Sequence, residues 1–101
     1  MPEPYRRWIS PYREDDFEWD QAKSQSTFHE RELALVAARI AFRGYLLRRR
    51  DTRRRYGETR YQVLGEIEGR VFAIVYTPRH AKCRIISMRR AKPEEAALYY
   101  D

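Results

Sequence analysis

The sequence predicts a single α+β domain, and three patterns carry that prediction. In "ELALVAARIAFRG" the apolar residues recur at helical spacing. In "RYQVLGEIEGRVFAIVYT" residues of two alternating sets are followed by a turn at "EG" and then by an apolar run, which is the pattern of a β-hairpin. "CRIISMRR" is typical of a returning strand. At 101 residues the chain is long enough for one hydrophobic core and too short for two.

The N-terminal part predicts an extension followed by two helices. Residues 1–15 contain three prolines without a clear period, so we expect an extension, either mobile or draped on a domain that covers 16–101. "FEWD" indicates a short strand, and Asp20 is a plausible N-cap for a first helix running through residues 21–23 toward His29. The second helix ends at Gly44. Its predicted core face comprises Leu33, Val36, Ala37, Ile40 and Ala41.

The arginine-rich middle and the C-terminus complete the predicted domain. "YLLRRRDTRRRYGE" contains six arginines, and repulsion between so many like charges disfavours a packed element. The segment therefore predicts a loop or an exposed arm. "TPRHAK" predicts the turn before the last strand, and Pro93 opens a short C-terminal helix.

Charge is spread unevenly along the chain. The formal net charge is +6, yet residues 1–42 hold six cations and eight anions, whereas residues 43–101 hold fifteen cations and seven anions. This asymmetry favours a polyanionic partner, and the bias toward arginine suits phosphate, which a guanidinium binds bidentately. A solvated basic face and an acidic protein partner remain the alternatives.

Composition also excludes several classes. No apolar run approaches the roughly 20 residues of a membrane span, and the N-terminus lacks the apolar stretch of a secretory signal, so we expect a cytoplasmic protein without a membrane partner. Cys83 is the only cysteine, which excludes an internal disulfide and multi-cysteine metal sites. We interpret it as a small strand residue.

The last predicted strand carries arginines at both ends. In "RIISMRR" the pair Ile85 and Ile86 requires burial, while Arg84 at one end and Arg89 and Arg90 at the other reach solvent. We therefore expect these arginines to flank a groove, where a strand holds them with little ordering cost on binding phosphate.

Four motifs in order resemble one family. "FEWDQAK", "DTRRRYGETR", "IVYTPR" and "RIISMRRAKPEEAALYY" look like the BrnT family of type II toxins, from about Phe17 to Tyr100. The resemblance implies a RelE-like α+β fold, with two N-terminal helices packed on a small antiparallel sheet and a short C-terminal helix. It also implies cleavage of RNA without a metal or cofactor, translation arrest, and neutralisation by a BrnA-like antitoxin. In such a system the toxin is bound to operator DNA only through the antitoxin.

The resemblance further implies a set of site residues. The implied catalytic residues are Lys23, Glu58, Arg60, Arg79, Arg84, Ser87, Arg89 and Tyr99, with Tyr100 as the alternative tyrosine. Together with the charge pattern it implies that RNA is bound by Arg48, Arg49, Arg50, Arg53 and Arg90. Glu58 is the first candidate base, because metal-free cleavage must deprotonate the ribose 2′-hydroxyl and stabilise a charged phosphorane.

Each assignment has a plainer alternative. Glu58 is also a natural ion-pair partner for local arginines, Lys23 a surface cation and Tyr99 a packing residue; His29 and His80 read as surface and turn residues. The family commonly has "KHG" where this chain has residues 30–32, "ERE". That departure predicts a weakened ribonuclease or another base, and it keeps open a non-catalytic module that binds nucleic acid or an antitoxin-like partner.

Overall fold

Within residues 2–20 and 27–101, which the computed structural model describes, the chain forms six strands and two α-helices. The strands are β1 (Arg6–Trp8), β2 (Phe17–Trp19), β3 (Leu46–Arg50), β4 (Tyr61–Ile67), β5 (Arg70–Arg79) and β6 (Lys82–Arg90). The helices are α1 (Phe28–Arg43) and α2 (Pro93–Tyr100), and a 3-10 turn covers Glu14–Asp16.

The sheet is mixed, so the expected small antiparallel sheet is wrong. All six strands join one sheet in the order β1-β3-β4-β5-β6-β2, and β2 runs parallel to β6 while the other neighbours are antiparallel. The register places Phe17 beside Cys83 and Trp19 beside Ile85. Phe17 is buried in the core together with Cys83 and Ile85, so burial of its ring favours this parallel edge.

The expectation of two N-terminal helices is also wrong. Asp20, the predicted N-cap, is buried, and its backbone N–H donates to the Ile85 carbonyl at 2.8 Å, so it prolongs the pairing of β2. Residues 21–23 of the predicted first helix lie outside the described residues, and His29 belongs to α1. Thr27 caps α1, because its Oγ1 accepts the Glu30 N–H at 3.1 Å.

Helix α1 is rotated relative to the prediction. Ala38, Ala41 and Phe42 are buried, whereas most of the predicted core face, Leu33, Val36 and Ile40, is 58%, 49% and 40% exposed. The reason is a close approach between α1 and β4: a Cβ on Gly65 would lie 3.2 Å from the Ala41 Cβ and 2.7 Å from the Leu46 Cδ2. Only small residues fit where the helix crosses the sheet.

The segment predicted as an arginine-rich loop contains strand β3. Leu46 and Leu47 are buried on opposite faces of the sheet, which holds the strand in place. The Arg48 guanidinium lies 4.2 Å from the ring centroids of both Trp8 and Tyr61, so its charge is accommodated between two aromatic faces. Residues 6–8 pair with β3 as an edge strand.

Other predicted elements are confirmed. The β4–β5 hairpin turns at Glu68 and Gly69, both with positive φ as a type I′ turn requires. Helix α2 begins at Pro93 after the Lys92 N-cap. No helix among the described residues has the length and apolar character needed to cross a membrane.

Candidate nucleic-acid interface

The face of the sheet opposite α1 is polar at its centre, and we call it the open face. Across β3, β4, β5 and β6, Arg49 pairs with Gln62, Gln62 with Val75, and Val75 with Ser87. Because side chains alternate along a strand, these four residues share the face that α1 does not cover. One continuous row of side chains therefore runs from the Arg49 guanidinium to the Ser87 hydroxyl.

Helix α2 covers one end of the open face. The neighbouring row pairs Leu47 with Leu64, Leu64 with Ala73, and Ala73 with Arg89. Its three apolar members form a buried cluster with Tyr99 of α2. Arg89 completes the row at the rim of that cluster, with its side chain 45% exposed.

A third row lies on the other side of the first. Thr77 pairs with Arg84, which pairs in turn with Glu18 of β2. Extending the β4–β5 register by one residue places Arg60 opposite Thr77. With neighbouring strands about 4.8 Å apart, the backbones of Arg60 and Arg84 are separated by roughly 10 Å. Two cations thus flank Thr77.

A β-bulge in β6 brings its polar residues to the same face. Val75 pairs with Ser87 but Tyr76 pairs with Ile85, so Ile86 is the extra residue. In a regular strand, residues 84 and 87 would point to opposite faces. The bulge puts Arg84 on the open face together with Ser87 and Arg89.

Four of the arginines on the open face are each held by a side-chain acceptor. The contacts are Arg49 Nε to Gln62 Oε1 at 2.7 Å, Arg60 Nε to Glu58 Oε2 at 2.9 Å, Arg84 Nε to Glu18 Oε2 at 2.7 Å, and Arg89 Nη1 to Glu95 Oε1 at 2.8 Å. These contacts orient the guanidinium groups before any ligand arrives, which reduces the entropy cost of binding phosphate.

Arg89 and Glu95 form the most ordered of these pairs. Arg89 donates to both carboxylate oxygens of Glu95, at 2.8 and 3.0 Å, and the Lys92 backbone N–H donates to Glu95 at 2.7 Å. The hydrogen bonds from Arg89 lower the pKa of Glu95 to about 2. Glu95 is therefore ionised at neutral pH and cannot act there as a proton donor.

The loop between β3 and β4 forms a cationic rim beside the open face. Asp51 is buried and accepts two hydrogen bonds from the Arg53 guanidinium, each 2.8 Å, and one from the Tyr56 hydroxyl at 3.2 Å. The hydrogen bond from Arg53 holds the pKa of Asp51 below its usual value. Arg60 stacks on Tyr56 at 3.9 Å, and a cleft here is lined by Arg53, Arg54, Tyr56 and Arg60.

The structure brings together part of the predicted site. Arg60, Arg84, Ser87 and Arg89 share the open face, with Glu58 bound to Arg60 at its edge. Of the predicted RNA-binding arginines, Arg49 lies on the open face and Arg53 on the rim. Arg79 is exposed at the end of β5, beside the turn to β6.

Other predicted residues lie elsewhere. Arg48 faces α1, where it donates to the Tyr76 hydroxyl at 3.0 Å, and alternation along the strands places Arg50 and Arg90 on that side too. Tyr99 is buried, and its hydroxyl donates to the Tyr45 carbonyl at 2.7 Å, while the exposed Tyr100 donates to Glu66 at 2.5 Å. Lys23 lies outside the described residues.

The histidines and the cysteine occupy the places expected from the sequence. His29 is exposed on the first turn of α1, and His80 is exposed in the β5–β6 turn with a φ of 52°. Cys83 is a buried strand residue, and burial raises the pKa of its thiol. None of the three belongs to the rows of the open face.

Sequence reasoning missed the acceptors that orient the arginines: Glu18, Gln62 and Glu95. A signal for Glu18 was available, since it stands between the apolar Phe17 and Trp19 and so points away from the core. Glu95 occupies the third position of α2, where a carboxylate caps the helix. Their pairing with Arg84 and Arg89 depends on which elements become neighbours.

An arginine-lined sheet face is the kind of surface that proteins use to contact the phosphates of a polyanion. A family model described as the ribonuclease toxin BrnT of type II toxin–antitoxin systems matches residues 19–95. The chain belongs to this family of ribonuclease toxins and therefore has an antitoxin as its partner. No curated protein and no solved structure matches it.

Proposed function

We propose that the open face binds single-stranded RNA and cleaves it without a metal ion. The observation that carries this proposal is that Arg49 of β3, Arg60 just before β4, and Arg84 and Arg89 of β6 share one face, with Ser87 between the last two. Arginine remains cationic at any physiological pH, so the four side chains supply positive charge that a metal ion would otherwise provide.

In the proposed reaction the ribose 2′-oxygen attacks the adjacent phosphorus, and the bond from phosphorus to the 5′-oxygen breaks. Glu58 takes the 2′-proton, since its carboxylate is oriented by Arg60 and its side chain is 28% exposed at the edge of the face. Water returns a proton to the leaving 5′-oxygen. Arg84 and Arg89 donate to the non-bridging oxygens, whose charge grows in the transition state.

The remaining residues have supporting roles in the proposal. Ser87 lies between Arg84 and Arg89 on β6 and donates a hydrogen bond to RNA. Arg49, Arg53 and Arg79 extend the cationic track beyond the reacting phosphate. Lys23 retains the role that the family resemblance implies. Tyr99 acts through packing, because it fixes α2 and hence Glu95.

We also propose that cleavage arrests translation in the cytoplasm and that a BrnA-type antitoxin neutralises the toxin. The family membership supports an antitoxin partner, and the basic half of the chain supports RNA as the substrate. Operator DNA enters this scheme only through the antitoxin.

The test is cleavage of single-stranded RNA by the purified chain in the presence of a chelator, beside Arg89→Ala. Cuts by the wild type that the variant makes at least tenfold more slowly support the proposal. RNA bound but uncut at every chelator concentration contradicts it and favours a binding module. Cuts that appear only after a divalent metal is added contradict metal independence alone.

A further inference from the structure

Helix α1 exposes an apolar stripe on the side away from the sheet. Leu33, Val36, Ala37 and Ile40 stand at positions i, i+3, i+4 and i+7, which is one face of a helix. Leu33, Val36 and Ile40 are 58%, 49% and 40% exposed. We call these four residues the α1 stripe.

The α1 stripe does not contribute to the packing of the core. The helix packs on the core through the buried Ala38, Ala41 and Phe42 and the partly buried Leu35, which lie on the opposite side. Large apolar residues that repeat at this spacing on an exposed helix form the kind of seam that receives a second helix. Neither the proposed RNA face nor the loop rim includes any of the four.

We propose that the α1 stripe is the docking site for an amphipathic helix of the antitoxin, an inference that rests on the antitoxin partner of the proposed function. The docking helix carries branched apolar residues at matching spacing and an acidic residue opposite Arg39. The stripe lies on the sheet face opposite the RNA site, so this helix can be held while another part of the antitoxin reaches the open face.

One cation beside the α1 stripe favours an acidic group on the partner. Arg39 and Arg43 lie along one flank of α1, and the Arg43 side chain is 63% exposed. Both are anchored to the 3-10 turn, since Arg39 Nε donates to the Glu14 carbonyl and Arg43 Nε donates to the Glu14 carboxylate, each at 2.9 Å. The Glu14 carboxylate neutralises Arg43, and the exposed Glu32 lies on the same flank. Arg39, which donates to a main-chain carbonyl, is therefore the cation that favours a carboxylate on the incoming helix.

A second copy of this chain is a poorer occupant. Each copy has a net charge of +6, so self-association brings like charges together. Three large side chains on each copy also fall well short of the roughly 1,200 Å² that stable interfaces bury. An acidic antitoxin meets neither objection, because it offsets the charge and adds contacts elsewhere.

The experiment measures the Kd of the co-encoded antitoxin, purified, for the wild type, Val36→Glu and Leu98→Glu by isothermal titration calorimetry. Leu98 is the matched control: it is an apolar helix residue with the same 49% exposure, but it lies on α2. We expect Val36→Glu to raise Kd at least tenfold and to keep wild-type RNA cleavage and melting temperature, and Leu98→Glu to leave Kd within twofold.

Each other outcome overturns the inference in a distinct way. Antitoxin binding by Val36→Glu as tight as by the wild type means that the stripe is not the docking site, while the antitoxin partner of the proposed function stands. A wild-type dimer in sedimentation equilibrium that Val36→Glu dissociates assigns the stripe to a second copy. A wild type that does not bind the antitoxin at all contradicts the proposed partner and the docking site together.

Discussion

Replacing Arg84 with alanine tests the open face most directly. Arg84 stands on β6 between Thr77 of β5 and Glu18 of β2, and its Nε donates to the Glu18 carboxylate at 2.7 Å. The substitution removes one guanidinium from the proposed phosphate site and leaves the backbone pairing of both strands in place. We expect a large loss of RNA cleavage with a small loss of stability.

The loss of cleavage and the loss of stability have different physical causes. A hydrogen bond to a charged group contributes about 1.5–3 kcal/mol, so its loss in the transition state lowers kcat/KM by roughly 10- to 150-fold. The ion pair is partly exposed, at 26% for Arg84 and 32% for Glu18, and solvent screening limits its contribution to about 1 kcal/mol or less. For a domain of this size, that corresponds to a fall in melting temperature of no more than about 4–8 °C.

The assay is cleavage of a fluorogenic single-stranded RNA with a chelator present, for the wild type, Arg84→Ala, Arg84→Lys and Arg70→Ala. Arg70→Ala is the control for charge, since Arg70 is exposed at the β4–β5 turn and its loss changes the net charge equally. Arg84→Lys is expected to recover only part of the activity, because an ammonium lacks the planar fork. Cleavage by Arg84→Ala within twofold of Arg70→Ala would refute the assignment.

Three further predictions concern other parts of the molecule. Arg49→Ala should weaken RNA binding, more at low salt than at high salt, whereas Arg48→Ala should mainly lower the melting temperature, since its guanidinium stacks on two rings; filter binding and thermal melts separate the two. Glu95 has a folded-state pKa of about 2 against 4.5 as its ordinary value, so its stabilising contribution is present above pH 4.5 and lost as the pH falls toward 2. Urea melts of Glu95→Gln should therefore differ from the wild type at pH 7 and converge near pH 2; a constant difference would count against the pair. Gly65→Ala should cost about 1–3 kcal/mol in urea melts, because its Cβ would lie 2.7 Å from the Leu46 Cδ2, and an unchanged midpoint would contradict that packing.

Local patterns in the sequence were sufficient for several elements. The period of residues 33–43 and the Gly44 stop predicted the body of α1, the "EG" turn predicted the β4–β5 hairpin, and Pro93 predicted the start of α2. The excess of arginine after residue 43 predicted a cationic surface, and the ordered motifs identified the family. Each of these signals lies within a few consecutive residues or in composition.

Relations between distant segments were decided only by the tertiary structure. Whether "LLRRR" is a strand depends on the burial of Leu46 and Leu47 against the sheet and on the rings of Trp8 and Tyr61 around Arg48. No feature of the arginine run itself contains that information, so its charge alone predicted a loop.

The sequence by itself determined that this chain has an α1 helix, a central hairpin, a basic C-terminal half and the motifs of a ribonuclease toxin. Only the tertiary structure decided that β2 joins β6 in parallel, that α1 presents its small residues to Gly65, and that a bulge at Ile86 places Arg84 and Ser87 on one face. The physical reason is that the periodicity of residues along a helix or strand shows which residues share a face, but it does not show which face is buried. That choice depends on the shape and charge of segments far away in the chain, which here turned the apolar α1 stripe toward solvent and gathered four arginines opposite it.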